Sequence, residues 1–463
     1  MLKIDTTTFR ALPQRLQQAM QAVPEARRLV VALSGGVDSM VLFYVALAYA
    51  DHAGIPLIAL HVNHGLSPKS DDWQKHCQQA CKAQGVTCLV EKVQVTPAGE
   101  GIEAAARRAR YQAFEQTLIS GDVLLQGHHQ NDVAETVLMR MLRGAGPEGL
   151  SAIPAQREVG AGILYRPFLH LRREHLLELA QQHGWQWVED ESNQDLSFDR
   201  NYIRHKILPV IEERWSMVFD SLSQVSQRAM QAQYLIESWC KEQSEYLRSA
   251  TYSAYQALDL KALARFDSVQ QRALVRYWLD QKQVSHPGAQ IFERIWTEMI
   301  PAAADAQPMI QWGIHQIRRY DQALFYTCDA ATKPWQINQT VQVDTKGLPV
   351  DLDLNGWGVL RIVYVPAGQP IPNEGLIVRA PDTAITLGLQ SREGGEKIRL
   401  NGINMSLKRV FQNEGIPPWE RDRQLLLYFD EALVAVSSGL VADAWRPQFG
   451  QAVWVFLPGF NPA

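Results

Sequence analysis

Two continuous apolar runs, Leu29-Val30-Val31-Ala32-Leu33 and Pro56-Leu57-Ile58-Ala59-Leu60-His61-Val62, flank a stretch from Met40 to Leu47 that is apolar on every side. Short apolar strands separated by a helix with no polar face predict a parallel sheet covered by helices. The alternation continues with a helix over about 71–84, a strand from Val86 to Val93, a helix from Ala104 to Leu118 and a fourth strand, Val123 to Gly127. Residues 11–27 read as an earlier helix with Pro24 near its end. Arg143 to Leu150 is Gly-rich and reads as a loop, Tyr165 to Leu169 as an edge strand, and Arg172 to His183 as a helix.

The pattern changes near Phe219, where two long amphipathic stretches begin, Ser221 to Leu247 and Leu258 to Gln281. Beyond 331, alternation such as Val341-Gln342-Val343 with Gly and Pro punctuation predicts small strands, and a helix near Leu407 to Gln412 lies among the last ones. The fold class expected is therefore α/β: a parallel-sheet nucleotide-binding domain over 1–215, a helical middle domain over 216–330, a linker with small strands over 331–374, and a small α+β domain over 375–463. There is no internal repeat.

Composition narrows the class of protein. At 463 residues and 46% hydrophobic, the chain has enough apolar material for several cores. Its net charge of −4 does not advertise a nucleic-acid binder, although a local basic face can act within an acidic whole. The five cysteines include Cys77 and Cys81, whose spacing places them on one helix face and does not match a zinc or redox pair. Met1 to Asp5 lacks a charged stretch followed by an apolar run, and no segment approaches a membrane span, so a cytoplasmic location and no membrane partner are expected.

The chemistry concentrates at strand ends. Ser34-Gly35-Gly36-Val37-Asp38-Ser39 joins the first strand to the apolar helix, and its small residues with the free N–H groups of a helix start suit a phosphate or pyrophosphate. Neither a Walker A ending nor a Gly-x-Gly-x-x-Gly fingerprint is present. The loop resembles that of the PP-loop ATP pyrophosphatases, which cleave ATP to AMP and pyrophosphate. Three further motifs are Glu103-Ala-Ala-Ala-Arg107-Arg-Ala-Arg110-Tyr111, His128-His129-Gln-Asn-Asp132-Val-Ala-Glu135-Thr136 and Arg143-Gly-Ala-Gly-Pro. With Asp190-Glu-Ser-Asn193 through Arg200-Asn-Tyr-Ile-Arg204, they resemble the bacterial tRNA(Ile)-lysidine synthetases over about the first 210 residues. A looser likeness continues to Lys397-Ile-Arg399 and Pro417-Pro-Trp419-Glu-Arg421.

That resemblance implies ligation of free L-lysine to C2 of the first anticodon base, a cytidine, of tRNA(Ile) with a CAU anticodon. ATP adenylates the base, pyrophosphate leaves, and the lysine ε-amine then displaces AMP. Ser34 to Ser39, with His61 and His64 at the next strand end, are expected at ATP, and Asp38 at a Mg²⁺ that bridges its phosphates. A helix-capping Asp38 is the alternative. Asp132 and Glu135 lie one turn apart near a helix start and supply an anionic surface for the lysine ammonium; ordinary first-turn acids are the alternative. His128 or His129 is expected to take the amine proton, and Arg107 and Arg204 to stand nearest the reaction.

The resemblance makes Arg143 and Arg200, with Lys397, Arg399, Lys408, Arg409 and Arg421 of the last domain, the candidate tRNA contacts; a solvated mixed-charge face, diluted by Glu393, Glu396, Glu414, Glu420 and Asp422, is the alternative for the last-domain cations. A tRNA thiolase would carry paired Cys-x2-Cys sites, and an amidating relative a glutaminase signature; the chain has neither. A non-catalytic tRNA-binding protein would need a decayed loop, yet Ser34 to Ser39 is intact. The oligomeric state is open, a homodimer included.

Overall fold

The computed structural model describes residues 6–96, 101–284, 286–303, 306–328, 334, 336–354, 357–372 and 374–459. Within the expected linker, residues 331–333, 335, 355–356 and 373 lie outside that description. The chain forms two compact units, Met1–Ile236 and Glu237–Ala463.

In the first unit, α1 (Thr6–Ala11) and α2 (Gln14–Gln21) precede β1 (Arg28–Ala32), α3 (Val37–Ala53), β2 (Leu57–Asn63), α4 (Ser70–Gln84) and β3 (Thr87–Lys92). Then come α5 (Ile102–Thr117), β4 (Asp122–Leu125), α6 (Gln130–Leu142), α7 (Pro147–Leu150), β5 (Gln156–Val159), β6 (Gly162–Tyr165) and α8 (Arg173–Gln182). The six strands lie in the order β3-β2-β1-β4-β6-β5, all neighbours parallel except β5 with β6. Strand order reverses on the two sides of β1, so a crevice opens at the carboxyl ends of β1 and β4, where such sheets bind ligands.

Alternation along β1 builds both faces. Leu29 and Val31 join α3 in a core with Phe43, Tyr44 and Trp185, whereas Val30 faces Phe114 and Leu118 at the end of α5. Helix α3 has no polar face because α1, α2 and α8 enclose it against the sheet, with Val41 to Val45 almost wholly buried. Cys77 and Cys81 share the buried face of α4, as their spacing predicts.

Three local expectations need correction. The helix expected over 11–27 is two helices, broken at Pro13, which flanks α2. The Gly-rich stretch contains α7, started by Pro147 in the first turn, where its missing N–H costs nothing. The edge strand is β5; β6 lies inside, between β4 and β5.

The second unit opens with helices such as Ser268–Asp280 and Ala289–Arg294, and adds a four-stranded antiparallel sheet formed by residues 258–259, 309–312, 315–320 and 323–328. Its last part pairs a five-stranded with a four-stranded sheet around Leu387, Leu427, Trp454 and Phe456. Helix Leu407–Asn413 covers a separate small core of Ile398, Phe411 and Leu426.

Candidate active site

The loop after β1 is held open by its own atoms. Ser39 Oγ donates to Gly36 O at 2.9 Å and accepts from Gly35 N at 3.1 Å and Ser34 Oγ at 3.0 Å, so the hydroxyl is fully used as a brace. Gly35 has φ +94°, its carbonyl accepts from Val188 N–H at 2.9 Å, and an added Cβ would lie 2.9 Å from Val188 Cγ2. Gly36 starts α3 with no side-chain cap, which leaves the first helical N–H groups, from Val37 onward, available to an anion.

The end of β4 presses against that helix start. A Cβ on Gly127 would meet Asp38 O at 2.9 Å, so only glycine permits the approach. His129 follows as N-cap of α6: its Nδ1 accepts from Asp132 N at 3.4 Å, while Asp132 Oδ2 accepts from His129 N at 2.9 Å. The other ring nitrogen, Nε2, lies 3.5 Å from Asp38 Oδ2. Asp38 Oδ1 is buried with no hydrogen-bond partner, and Arg173 Nε stands 3.6 Å from it.

Burial pushes both histidines toward the neutral form. At His129 the carboxylates of Asp132 and Asp38 outweigh it and the pKa rises. At His128, burial and the nearby Arg166 win over Asp132, and the pKa falls to about 3. His128 Nδ1 accepts from Arg166 Nε at 3.0 Å.

The next turn of α6 carries the paired carboxylates, and both already hold cations. Arg204 grips Glu135 with two bonds, Nε to Oε1 at 2.6 Å and Nη2 to Oε2 at 3.0 Å. Arg200 bridges the pair, with Nε on Glu135 Oε2 at 2.7 Å and Nη2 on Asp132 Oδ1 at 2.5 Å. Glu135 is 0% exposed. Desolvation would raise the Asp132 pKa, but His129 and Arg200 hold it below the usual carboxylate range. The arginines come from α9 (Asp199–Tyr202) and the π-helical turn Ile203–Ile207, four residues apart in sequence. Arg200, expected on tRNA, is half-buried and pairs with both carboxylates.

Other expected residues divide. His61 is buried, its Nδ1 2.8 Å from Leu33 O, so it fastens β2 to the end of β1. His64 Nε2 accepts from Arg110 Nε at 3.3 Å, and burial with Arg110 lowers its pKa to about 4. Arg107 is exposed on α5, its Cζ 5.1 Å from the Tyr111 ring centre. Arg143 is exposed and pairs with Asp199 at 3.1 Å. In the second unit Lys397, Arg399, Lys408 and Arg409 are exposed. Arg421 is half-buried and donates to Ile416 O at 2.8 Å and Tyr320 OH at 2.9 Å. Trp419 is buried beside Phe325 and Tyr320. Sequence reasoning missed Gly127 and Arg173. A glycine directly after a buried strand was the available signal for the first; Arg173 has none.

Among the described residues no helix is long and apolar enough to cross a membrane, and no cluster of three metal-ligating side chains occurs.

Comparison with known proteins adds three family matches: a PP-loop domain over residues 9–211, a TilS substrate binding domain over 258–325 and a TilS substrate C-terminal domain over 387–457. The tRNA(Ile)-lysidine synthase of Salmonella typhimurium is 35% identical over 428 residues, covering 90% of this chain and 93% of that protein. That of Alkalilimnicola ehrlichii is 36% identical over 429 residues, covering 92% and 93%. Similar solved structures include the U34-tRNA thiolase NcsA of Methanococcus maripaludis, at 16% identity and TM-score 0.39 over 49% of this chain and 79% of that one. A TilS C-terminal domain matches at 20% identity and TM-score 0.22, over 27% and 99%. With relatives at this identity along nearly its whole length, the chain belongs to the tRNA(Ile)-lysidine synthase family.

Proposed function

We propose that this chain ligates free L-lysine to C2 of the wobble cytidine of tRNA(Ile) bearing a CAU anticodon, consuming ATP and releasing AMP and pyrophosphate. The observation that carries the reading is the short path from phosphate loop to paired carboxylates: Asp38, His129 and Asp132 follow one another at 3.5 Å and 3.4 Å. Attack of the cytidine C2 oxygen on the α-phosphorus puts charge on the departing pyrophosphate. The uncapped N–H groups that start α3 are fixed donors for that charge and need no reorganisation.

The unpartnered Asp38 Oδ1 fits a hard cation. Mg²⁺ held there would neutralise phosphate charge, and a single protein carboxylate with phosphate and water oxygens suits its preference. Arg173 stands 3.6 Å from the same oxygen.

Lysine binds by exchange. Asp132 and Glu135 are neutralised by Arg200 and Arg204, so an entering ammonium takes over one guanidinium's bonds without exposing a buried charge. Of the two histidines, His129, shifted upward by Asp132 and Asp38, is the stronger base for the amine's proton; His128, at about 3, is too weak a base. Displacement of AMP then leaves lysine joined to C2.

Steady-state kinetics on Asp132→Asn and Glu135→Gln test the assignment. Each should raise the lysine KM at least tenfold and the ATP KM far less, since each removes charge that faces the ammonium. Equal effects on both constants would remove the two carboxylates from the lysine site.

A further inference from the structure

Beside His128, three guanidinium groups gather around the Tyr111 phenol without an ion-pair partner among the described residues. Arg166 is 3% exposed, and all its bonds go to neutral acceptors: His128 Nδ1 at 3.0 Å, Pro154 O at 2.6 Å and Tyr111 OH at 3.3 Å. Arg157 Cζ lies 4.1 Å from the Tyr111 ring centre and Arg107 Cζ 5.1 Å from it, both on exposed residues. Among the described residues none of the three makes an ion pair. Elsewhere in this unit several half-buried cations do, among them Arg28 with Asp122, Arg172 with Glu174 and Glu212, and Arg200 and Arg204 with the α6 carboxylates, whereas Arg140 is held by the carbonyls of Gly149 and Ala152.

A buried guanidinium with no anion carries an uncompensated desolvation cost, and two more cations beside it add repulsion. Such an arrangement is stable in working form when an anion completes it. Its place fits a substrate anion: Arg166 directly follows β6 and Arg157 lies in β5, opposite Leu164, so both stand by the carboxyl edge of the sheet with His128. Stacking on Tyr111 fixes the two exposed guanidinium planes where a flexible lysine would roam.

We propose that Arg107, Arg157 and Arg166, organised by Tyr111, form a binding site for a phosphate group, and that its occupant is a backbone phosphate of the RNA beside the target cytidine. The inference rests on the proposed reaction for the identity of the RNA. Its chemistry would equally accept a phosphate of the nucleotide, and the test separates the two sources. Arg157 is the residue to change, being exposed on an edge strand and free of hydrogen bonds that the fold needs.

The experiment measures binding of unmodified tRNA(Ile) across a salt series, with the ATP KM for pyrophosphate release, for wild type, Arg157→Gln and Arg157→Lys. An RNA phosphate predicts that Arg157→Gln weakens tRNA binding about tenfold at low salt and lowers the slope of log K against log salt by about 1, at unchanged ATP KM. Arg157→Lys should restore the slope and only part of the affinity. A raised ATP KM with an unchanged salt slope would assign the site to the nucleotide and overturn the RNA assignment. No change in either quantity would overturn the phosphate site altogether. Because tRNA binding is read directly, this result stands apart from whether lysine is the amine transferred.

Discussion

At Asp38 one carboxylate oxygen faces His129 and the other is buried without a hydrogen-bond partner, with only Arg173 Nε nearby at 3.6 Å, so it has hydrogen-bonding capacity left for a ligand. Asp38→Asn keeps size and helix-start preference but loses charge; pyrophosphate release in the presence of tRNA should fall by about a hundredfold, with the melting temperature little changed. Retained activity would make Asp38 a structural residue. The two adjacent histidines separate in the same way. His129→Asn retains an acceptor for the α6 cap yet should abolish the neutral-pH limb of the lysine-transfer rate, while His128→Asn should leave that limb in place. Asp132 also sets an acid limit on stability. Its folded pKa lies below the unfolded 3.8, so between those values the unfolded chain binds the extra proton. The stability it contributes is complete above the unfolded value and is lost as pH falls through the folded one. Denaturation midpoints of Asp132→Asn should therefore decline less steeply than wild type below about pH 4.

Among elements, the meeting of β4 with the start of α3 sets the site, and Gly127 is its contact point. Gly127→Ala should cost about 1–3 kcal/mol in chemical denaturation, because the new methyl overlaps Asp38 backbone. It should depress kcat more than any substrate KM, since the loop moves while the pockets stay. The parallel strands and their helices were legible because buried strands read as unbroken apolar runs and α3 as an apolar helix. The antiparallel sheet of the second unit was not: His315–Tyr320 and Ala323–Cys328 mix polar and apolar positions and follow long amphipathic helices that masked the change of period. Helix α7 was hidden by its glycines, although Pro147 marked its start. The spacing of Asp132 and Glu135 on one helix was visible, but their arginine partners lie 65 to 69 residues away, a distance at which local pattern carries no information.

Over the whole molecule, two units separate tasks that the sequence presents as one acidic chain. The first holds the phosphate loop, the carboxylates and the unpaired arginines; the second exposes Lys397, Arg399, Lys408 and Arg409, which we propose as tRNA contacts. Trp419 is buried beside Phe325, and half-buried Arg421 bonds Ile416 O and Tyr320 OH, so part of this basic and aromatic stretch serves packing within the second unit. The four exposed cations should contribute to tRNA affinity and hardly to specificity for the amine. Transfer of lysine to an adenylated cytidine is tested by incubating the protein with labelled lysine, ATP and unmodified tRNA(Ile) with a CAU anticodon. Label should enter the tRNA with one AMP and one pyrophosphate released per lysine, and neither product should form when the cytidine is replaced by uridine. AMP release with no label in the tRNA, while another amine is incorporated, would contradict it.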